Sequence, residues 1–408
     1  MRALLEESFR AAVAAADPLK ILAAHLPSPP KGRTFVAAAG KAAASMALAV
    51  EQHWPAALSG IAVTRYGHGL PTQKVRVVEA GHPVPDEAGE AAAREILAAV
   101  QALGEDDLLL ALLSGGGSSL LSLPAPGVPI AALKALTREL LRCGASIQEI
   151  NTVRKHLSAI HGGRLAAASR APVVALIISD VTGDDPTHIA SGPCAPDPTS
   201  VDDARAVLAR YRIDYTGPLV ESPKPGHAAF SRTRNRVVAT AHRSLEAAAQ
   251  VFGRAGIPAV ILGDTVTGEA SQVAKVMAAL VREVRIHEGP WRAPVALISG
   301  GECTVTVRGG GGRGGRCGEF LLALALELEG TPEVWAIAAD TDGIDGSEDN
   351  AGALLAPDTL ARAHARALDA RRRLAENDSY GFFSGLGDLV LTGPTRTNVN
   401  DYRAIVVA

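Results

Sequence analysis

Apolar positions fall into two alternating rhythms along this chain. Short aliphatic and β-branched runs recur at "TFVAAA" (34–39), "GIAVT" (60–64), "KVRVVEA" (74–80), "DLLLALL" (107–113) and "VVALIIS" (173–179). They continue at "RVVAT" (236–240), "AVIL" (259–262), "VALIS" (295–299) and "EVWAIAA" (333–339). Most are separated by Ala/Leu-rich stretches of helical period. This βαβα alternation predicts an α/β architecture with a mostly parallel sheet covered on both faces. At the N-terminus, Leu4, Leu5, Phe9 and Val13 recur at helical spacing among acidic residues. That pattern predicts an amphipathic helix and not a signal peptide.

Punctuation divides the pattern. The segment 216–235, "TGPLVESPKPGHAAFSRTRN", is rich in Pro, Gly, Ser and charge and lacks periodicity. It predicts two domains, 1–228 and 229–408. The low-complexity stretch "RGGGGRGGRCG" (308–318) lies between "TVTV" and a helical "EFLLALALELE", so it reads as a loop within the second domain.

The polar residues of interest stand just after the apolar runs: "AAAGK", "TRYGHG", "GHPVPDE", "SGGGSS", "SDVTGDD", "LGDTVTGE", "SGGE" and "ADTDGIDG". Open α/β sheets bind ligands outside the carboxyl ends of their strands. The pattern therefore predicts a site built from strand-end loops.

Composition narrows the class. A net charge of −3 and 4% aromatic residues give no basic stripe and little base-stacking surface, so no nucleic-acid partner is expected. The four cysteines, Cys143, Cys194, Cys303 and Cys317, form no C-x-x-C pair, which argues against a zinc or redox motif and suits a reducing compartment. No run approaches the ~20 apolar residues of a membrane span. The expectation is a cytoplasmic protein with no membrane partner.

Each candidate motif has a plain structural alternative. In "SGGGSS", Ser114, Gly115, Gly116, Gly117, Ser118 and Ser119 could form a nest of N–H groups for phosphate, helped by a following helix start. A close-packed turn would need only one or two of the glycines. Lys41 follows the first strand but belongs to no P-loop, since Phe35 and Ala42 replace the required glycine and hydroxyl. It could neutralise a phosphate or be merely solvated. Asp180, Asp184 and Asp185 suit Mg²⁺ or a substrate hydroxyl, although Asp is also a turn former and helix cap. "ADTDGIDGSEDN" (339–350) is acidic but not an EF-hand, because Asp345 stands where glycine is required. A formal G-x-G-x-x-G at 310–315 is a weak dinucleotide signal. Arg313 and Arg316 beside it could clamp phosphate or carboxylate. Arg154, Lys155 and His156 cluster on one predicted helix, either as a solvated face or as a basic wall of a cleft. His68 and His82 read as structural. No G-x-S-x-G, H-E-x-x-H or protein-kinase signature is present.

A glycine nest, one or two cations and two acidic loops are the parts of phosphoryl transfer. The motifs "LLSGGGSSLL", "INTVRKHLSAIHGGRLA", "ISDVTGDDPTHIASGP", "ISGGECTVTVRGGGGRGGR", "ADTDGIDG" and "GPTRTNVND" together resemble the glycerate 2-kinases of the MOFRL type. The resemblance covers nearly the whole chain. It implies a Rossmann-like doubly wound N-terminal domain, a MOFRL-type α/β C-terminal domain and an active site in the cleft between them. It implies ATP and Mg²⁺ as cofactors and phosphorylation of D-glycerate at its 2-hydroxyl. It implies Lys41, Arg316, Asp180 and Asp342 as catalytic residues. Residues 114–119 would bind nucleotide phosphate, and Lys155, Arg313, Glu302 and Asn398 the substrate. Asp185 and Asp340 would hold metal. A homodimer is left open. This chain departs from the family pattern at Thr182, Cys194, Cys317, Gly318 and Arg396, where Pro, Thr, Asn, a larger polar residue and Gly are usual. Members of the family have also carried the name hydroxypyruvate reductase. A nicotinamide-dependent reductase is therefore the alternative, although no convincing His–acid pair is present.

Overall fold

The computed structural model describes residues 1–307 and 311–408. The glycine-rich motif at 310–315 thus begins outside the described residues. The chain divides into two compact units, Pro18–Val238 and a second formed by Met1–Asp17 with Ala239–Ala408.

This division differs from the 1–228 and 229–408 domains read from the sequence, at both ends. The N-terminal helix Arg2–Ala14 buries Leu5, Phe9 and Ala12 against Leu245, Ala248, Phe252 and Tyr402, so it belongs with the C-terminal unit. The Pro/Gly-rich segment is no linker. Val220 N–H donates to His156 O (2.8 Å) and Ser222 Oγ donates to Asp197 (2.8 Å), and the chain then enters one more strand of the first sheet.

The unit Pro18–Val238 holds β1 (Thr34–Ala39), β2 (Leu58–Arg65), β3 (Val75–Ala80), β4 (Leu108–Leu113), β5 (Val173–Ile178) and β6 (Thr233–Ala239) in the order β3-β2-β1-β4-β5-β6. β1 pairs in parallel with both β2 and β4, and β4 in parallel with β5. Every residue of β1 and β4 is buried, as expected for the centre of a sheet covered on both faces. This is a doubly wound sheet, as the family resemblance implies. Its direction reverses between β1 and β4, where such folds bind ligands.

The second unit holds β7 (Ala259–Gly263), β8 (Gly268–Glu269), β9 (Val295–Ser299), β10 (Cys303–Thr304), β11 (Val334–Asp340), β12 (Gly352–Leu355), β13 (Leu389–Val390) and β14 (Asp401–Val407). Six of these form a sheet ordered β13-β12-β11-β14-β9-β7, while β8 and β10 pair separately. Here the expectation of a mostly parallel sheet fails. Only β7–β9 is parallel in the six-stranded sheet, and β14 runs antiparallel between β11 and β9. Its N-terminal end therefore lies level with the C-terminal ends of its neighbours, pairing Asp401 with Asp340 and Arg403 with Ser299.

Candidate active site

Two strand-end clusters gather most of the expected site residues, one in each unit. In the first, β1 and β4 end in register at Ala39 and Leu113. Their loops are knitted together: Lys41 N–H donates to Gly115 O (2.8 Å) and Ala42 N–H to Ser114 Oγ (3.1 Å). Gly40 has φ of +128°, and a Cβ there would fall 2.1 Å from Ser114 Oγ, so the crossing admits only glycine. Gly116 has φ of +81°, and a Cβ on it would lie 3.0 Å from His82 Nε2 and 3.4 Å from Lys41 Cγ. The glycine loop thus faces the stem of Lys41 and the imidazole ring of His82. Among the described residues, the N–H groups of Gly115 and Gly116 have no acceptor, although Gly115 is buried. A buried backbone donor left over in this way is rare, and adjacent ones around a left-handed residue make an anion nest. The helix that follows is a single turn, Gly117–Leu120, so the helix dipole expected from the sequence is small and the backbone nest supplies the positive end.

A second loop packs beneath the nest. Ala190, Ser191 and Gly192 all have left-handed backbones, with φ of 51°, 56° and 59°. Two of them are not glycine, a strained arrangement typical of functional loops. Ser191 Oγ lies 2.8 Å from Ser118 Oγ and 3.0 Å from Asn151 Oδ1. Asn151 Oδ1 also accepts from Arg154 Nη1 at 2.8 Å, linking the glycine loop to the helix Ile147–His156.

In the other unit, Arg316 opens the helix Arg316–Leu328. Its Nε donates to Asp401 (2.7 Å), Nη2 to Asp340 (2.7 Å) and Nη1 to Glu302 (2.9 Å). Asp340 and Asp401 are buried and Glu302 is exposed. Burial disfavours the charge of Arg316, but Asp401, Asp340 and Glu302 more than offset this and hold its pKa well above the ordinary value. Arg403 forms a second pair with Asp401 (2.9 Å). The start of the Arg316–Leu328 helix is taken up by Asp345, which accepts from Cys317 N–H (2.9 Å) and Gly318 N–H (2.8 Å). Burial pushes the Asp345 carboxyl up, the two amides pull it back, and it settles at about 6.

Comparison with known proteins decides the family. Residues 4–221 match a domain-of-unknown-function family, DUF4147, and residues 295–401 match the MOFRL family. The chain is 52% identical to an Agrobacterium vitis protein provisionally named a hydroxypyruvate reductase, covering 100% of this chain and 94% of that one. It is 39% identical to the D-glycerate 2-kinase of Thermotoga maritima, covering 98% and 97% of the two chains. The crystal structure of a Thermotoga maritima glycerate kinase superposes with a TM-score of 0.87 at 37% identity, covering 100% and 99%. The chain belongs to the MOFRL family of glycerate kinases.

The structure gives this family member's expected site residues different surroundings. Residues 114–119 and Lys41 come together at the β1–β4 switch point. Asp180 follows β5, the strand beside β4, and so leaves the sheet next to the glycine loop. Lys155 does not join them: it is buried in an ion pair with Asp197 at 3.0 Å, with both side chains almost fully enclosed. Burial raises the Asp197 carboxyl, but the Lys155 charge and hydrogen bonds from Thr199, Ser222 and Lys155 bring it down to about 2. A substrate-binding role for Lys155 does not fit that pairing. Its neighbour Arg154, one step round the helix, reaches the glycine-loop network instead. Asp185 accepts from Thr187 N–H (2.8 Å), which makes it a turn former.

In the second unit, Arg316, Glu302, Asp340 and Asp342 do cluster. Asp342 N–H donates to Asp340 Oδ1 (3.0 Å), and Asp342 Oδ1 accepts from Ile344 N–H (2.9 Å). Asn398 is buried in the turn before β14, where its Oδ1 accepts from Asn400 N–H (3.3 Å). Arg313 is displaced to the surface, stacked 4.8 Å from the Tyr380 ring centroid. Asp401 and Arg403 were not among the expected residues. Among the described residues, no group of three or more His, Cys, Asp or Glu side chains is placed to hold a metal ion.

Two departures from the family pattern acquire a physical reading. A Cβ on Gly318 would fall 2.6 Å from Ser379 Oγ, so Ser379 occupies the space of a larger side chain. Arg396 has φ of 60°, the conformation that explains why glycine is usual there.

Proposed function

We propose that this protein phosphorylates D-glycerate at the 2-hydroxyl with ATP, giving 2-phosphoglycerate and ADP. The observation that carries this reading is the pair of N–H groups at Gly115 and Gly116 that have no acceptor among the described residues, in a loop packed against the Lys41 stem at the sheet's switch point. Backbone donors and a lysine are what a transferring phosphoryl group requires, because its catalysis is chiefly positioning and charge stabilisation. The nest holds the phosphates, and Lys41 offsets the charge that develops on the transferred group. Mg²⁺ binds through one or two carboxylates together with phosphate oxygens and water. Asp180 is a donor of that kind, and the ion would supply charge neutralisation between phosphates. Asp342 is the carboxylate assigned to orient the acceptor hydroxyl. Asp340 and Asp401 mount Arg316 rigidly, and its bond to the exposed Glu302 is the one that an anionic ligand can replace. We assign Arg316 that anion-binding role.

The reductase reading finds less support. The glycines at 312, 314 and 315 are needed for packing: Cβ atoms there would fall 1.9 Å from Glu376 O, 2.3 Å from Ser379 Oγ and 2.3 Å from Asp345 Oδ1. Asp345 also fills the helix start where a dinucleotide pyrophosphate would sit.

The test is an ADP-release assay with Mg-ATP and D-glycerate, run beside NADH with hydroxypyruvate. The reading predicts ADP release that depends on D-glycerate. NADH consumption without ADP release overturns it.

A further inference from the structure

The helix Ile147–His156 presents three adjacent basic residues, and the structure gives them different surroundings. Lys155 has Asp197, and His156 Nε2 lies 3.4 Å from Glu221. Arg154 has neither. Among the described residues, no carboxylate lies within ion-pair distance of it, and its one side-chain hydrogen bond is from Nη1 to Asn151 Oδ1 at 2.8 Å. Burial alone pulls its pKa down, to about 10, with no acidic neighbour to oppose the shift. Arg154 is half-buried, and a cation partly withdrawn from water without a counter-charge is normally completed by an anion.

A second, independent observation lies beside it. His161 is 1% exposed, and neither ring nitrogen has a hydrogen-bond partner. Burial first, then the charges of Arg154, Arg164 and Lys155, holds this imidazole down at about 3, so it stays neutral, with one donor and one acceptor. The next residue ties the pair to the glycine loop: Gly162 N–H donates to Ser191 O (3.0 Å), and Ser191 Oγ lies 2.8 Å from Ser118 Oγ. The phosphate nest has its own donors at Gly115 and Gly116 and its own cation in Lys41. Arg154 is therefore a separate fork, one hydrogen-bonded relay (Asn151–Ser191–Ser118) from that nest. A planar guanidinium matches a carboxylate through two parallel bonds.

We infer that Arg154, fixed by Asn151 and flanked by His161, is the subsite that receives the carboxylate of the hydroxy-acid acceptor. This rests on the kinase reading above. It makes Arg154 the residue that separates a hydroxy acid from a neutral polyol of similar size.

The test uses the whole chain, as wild type and as R154M and R154K, titrated calorimetrically with D-glycerate, Mg-ATP and glycerol, and assayed for ADP release. The expected result is D-glycerate affinity reduced at least about tenfold in R154M. R154K should fall between it and wild type, because it keeps the charge but loses the fork. Mg-ATP affinity should change by less than about threefold, since each single hydrogen bond to a remote group is worth little. Glycerol should bind equally weakly to wild type and variants. Weakened Mg-ATP with unchanged D-glycerate would place Arg154 on phosphate and overturn the inference. So would unchanged affinity for both ligands in a folded variant. Should R154M fail to fold, R154K decides by the same two outcomes. Wild-type binding of D-glycerate without phosphoryl transfer defeats the kinase reading alone. Undiminished turnover at low D-glycerate in R154M defeats this inference alone.

Discussion

The two strand-end clusters handle charge in opposite ways. In Pro18–Val238, Lys155 is matched to Asp197 deep inside, while Arg154 and the amides of Gly115 and Gly116 are left with positive character to offer a ligand. In the other unit Arg316 is met by Asp340, Asp401 and Glu302, with Arg403 on the far side of Asp401 and Asp345 close by. The first cluster leaves donors open that our reading gives to an anion. The second is acidic, and its Arg316 is held by buried Asp340 and Asp401, with only the contact to exposed Glu302 open to replacement. A strand-end cation is thus defined by its partners and not by its position.

Substitution and pH both probe this contrast. The largest effect is expected for Arg316→Ala, which takes the arginine from buried Asp340 while Asp401 keeps Arg403, and should cost about 3–5 kcal/mol. Denaturant unfolding, followed unit by unit through hydrogen exchange, should place the loss in Ala239–Ala408. Equal loss in both units would contradict the separation of the clusters.

pH should next drive the two units in opposite directions. Asp345 titrates at about 6 when folded, above an unfolded carboxyl near ~4. Between those values the folded state binds the extra proton, so its unit loses about 3 kcal/mol as pH rises through the window. Asp197 titrates at about 2, below its unfolded value, so its contribution of about 2–3 kcal/mol is present above pH ~4 and lost as pH falls toward 2. Hydrogen exchange from pH 2 to 7 should show opposite slopes, with D345N flattening one and D197N the other.

A smaller effect is expected for Gly116→Val. It forces a β-branched residue to a φ of +81° against His82, and should weaken Mg-ATP at least about tenfold while the circular dichroism stays native. Unchanged nucleotide affinity in the folded variant would return the loop to a packing role. Smallest is Arg396→Gly, which relieves a left-handed non-glycine residue at the cost of a more flexible unfolded chain. It should shift stability by no more than about 1 kcal/mol.

Much of this molecule was legible in its sequence. Continuous apolar runs such as "DLLLALL" marked the buried parallel strands, and the three glycines after them marked the switch-point loop. What escaped did so for physical reasons. β14 begins Asp-Tyr-Arg, so its polar start hid a strand whose Asp401 and Arg403 neutralise each other inside. Because β14 is antiparallel, its functional residues stand at its start, whereas an apolar run in a parallel sheet points to the residues that follow it. Lys155 and Arg154 are neighbours on one helix, and which of them faces the glycine loop depends on Asp197, 42 positions away. The N-terminal helix showed its apolar face through Leu5 and Phe9, but nothing in that face named a partner beyond residue 240.

If the loop Ser114–Ser119 serves phosphoryl transfer to the 2-hydroxyl of D-glycerate, ³¹P NMR of the protein with Mg-ATP and D-glycerate will show it. The expected result is a 2-phosphoglycerate resonance growing in step with ADP. A 3-phosphoglycerate resonance would contradict the assigned acceptor position, and no transfer at all, with NADH consumed by hydroxypyruvate, would contradict the kinase itself.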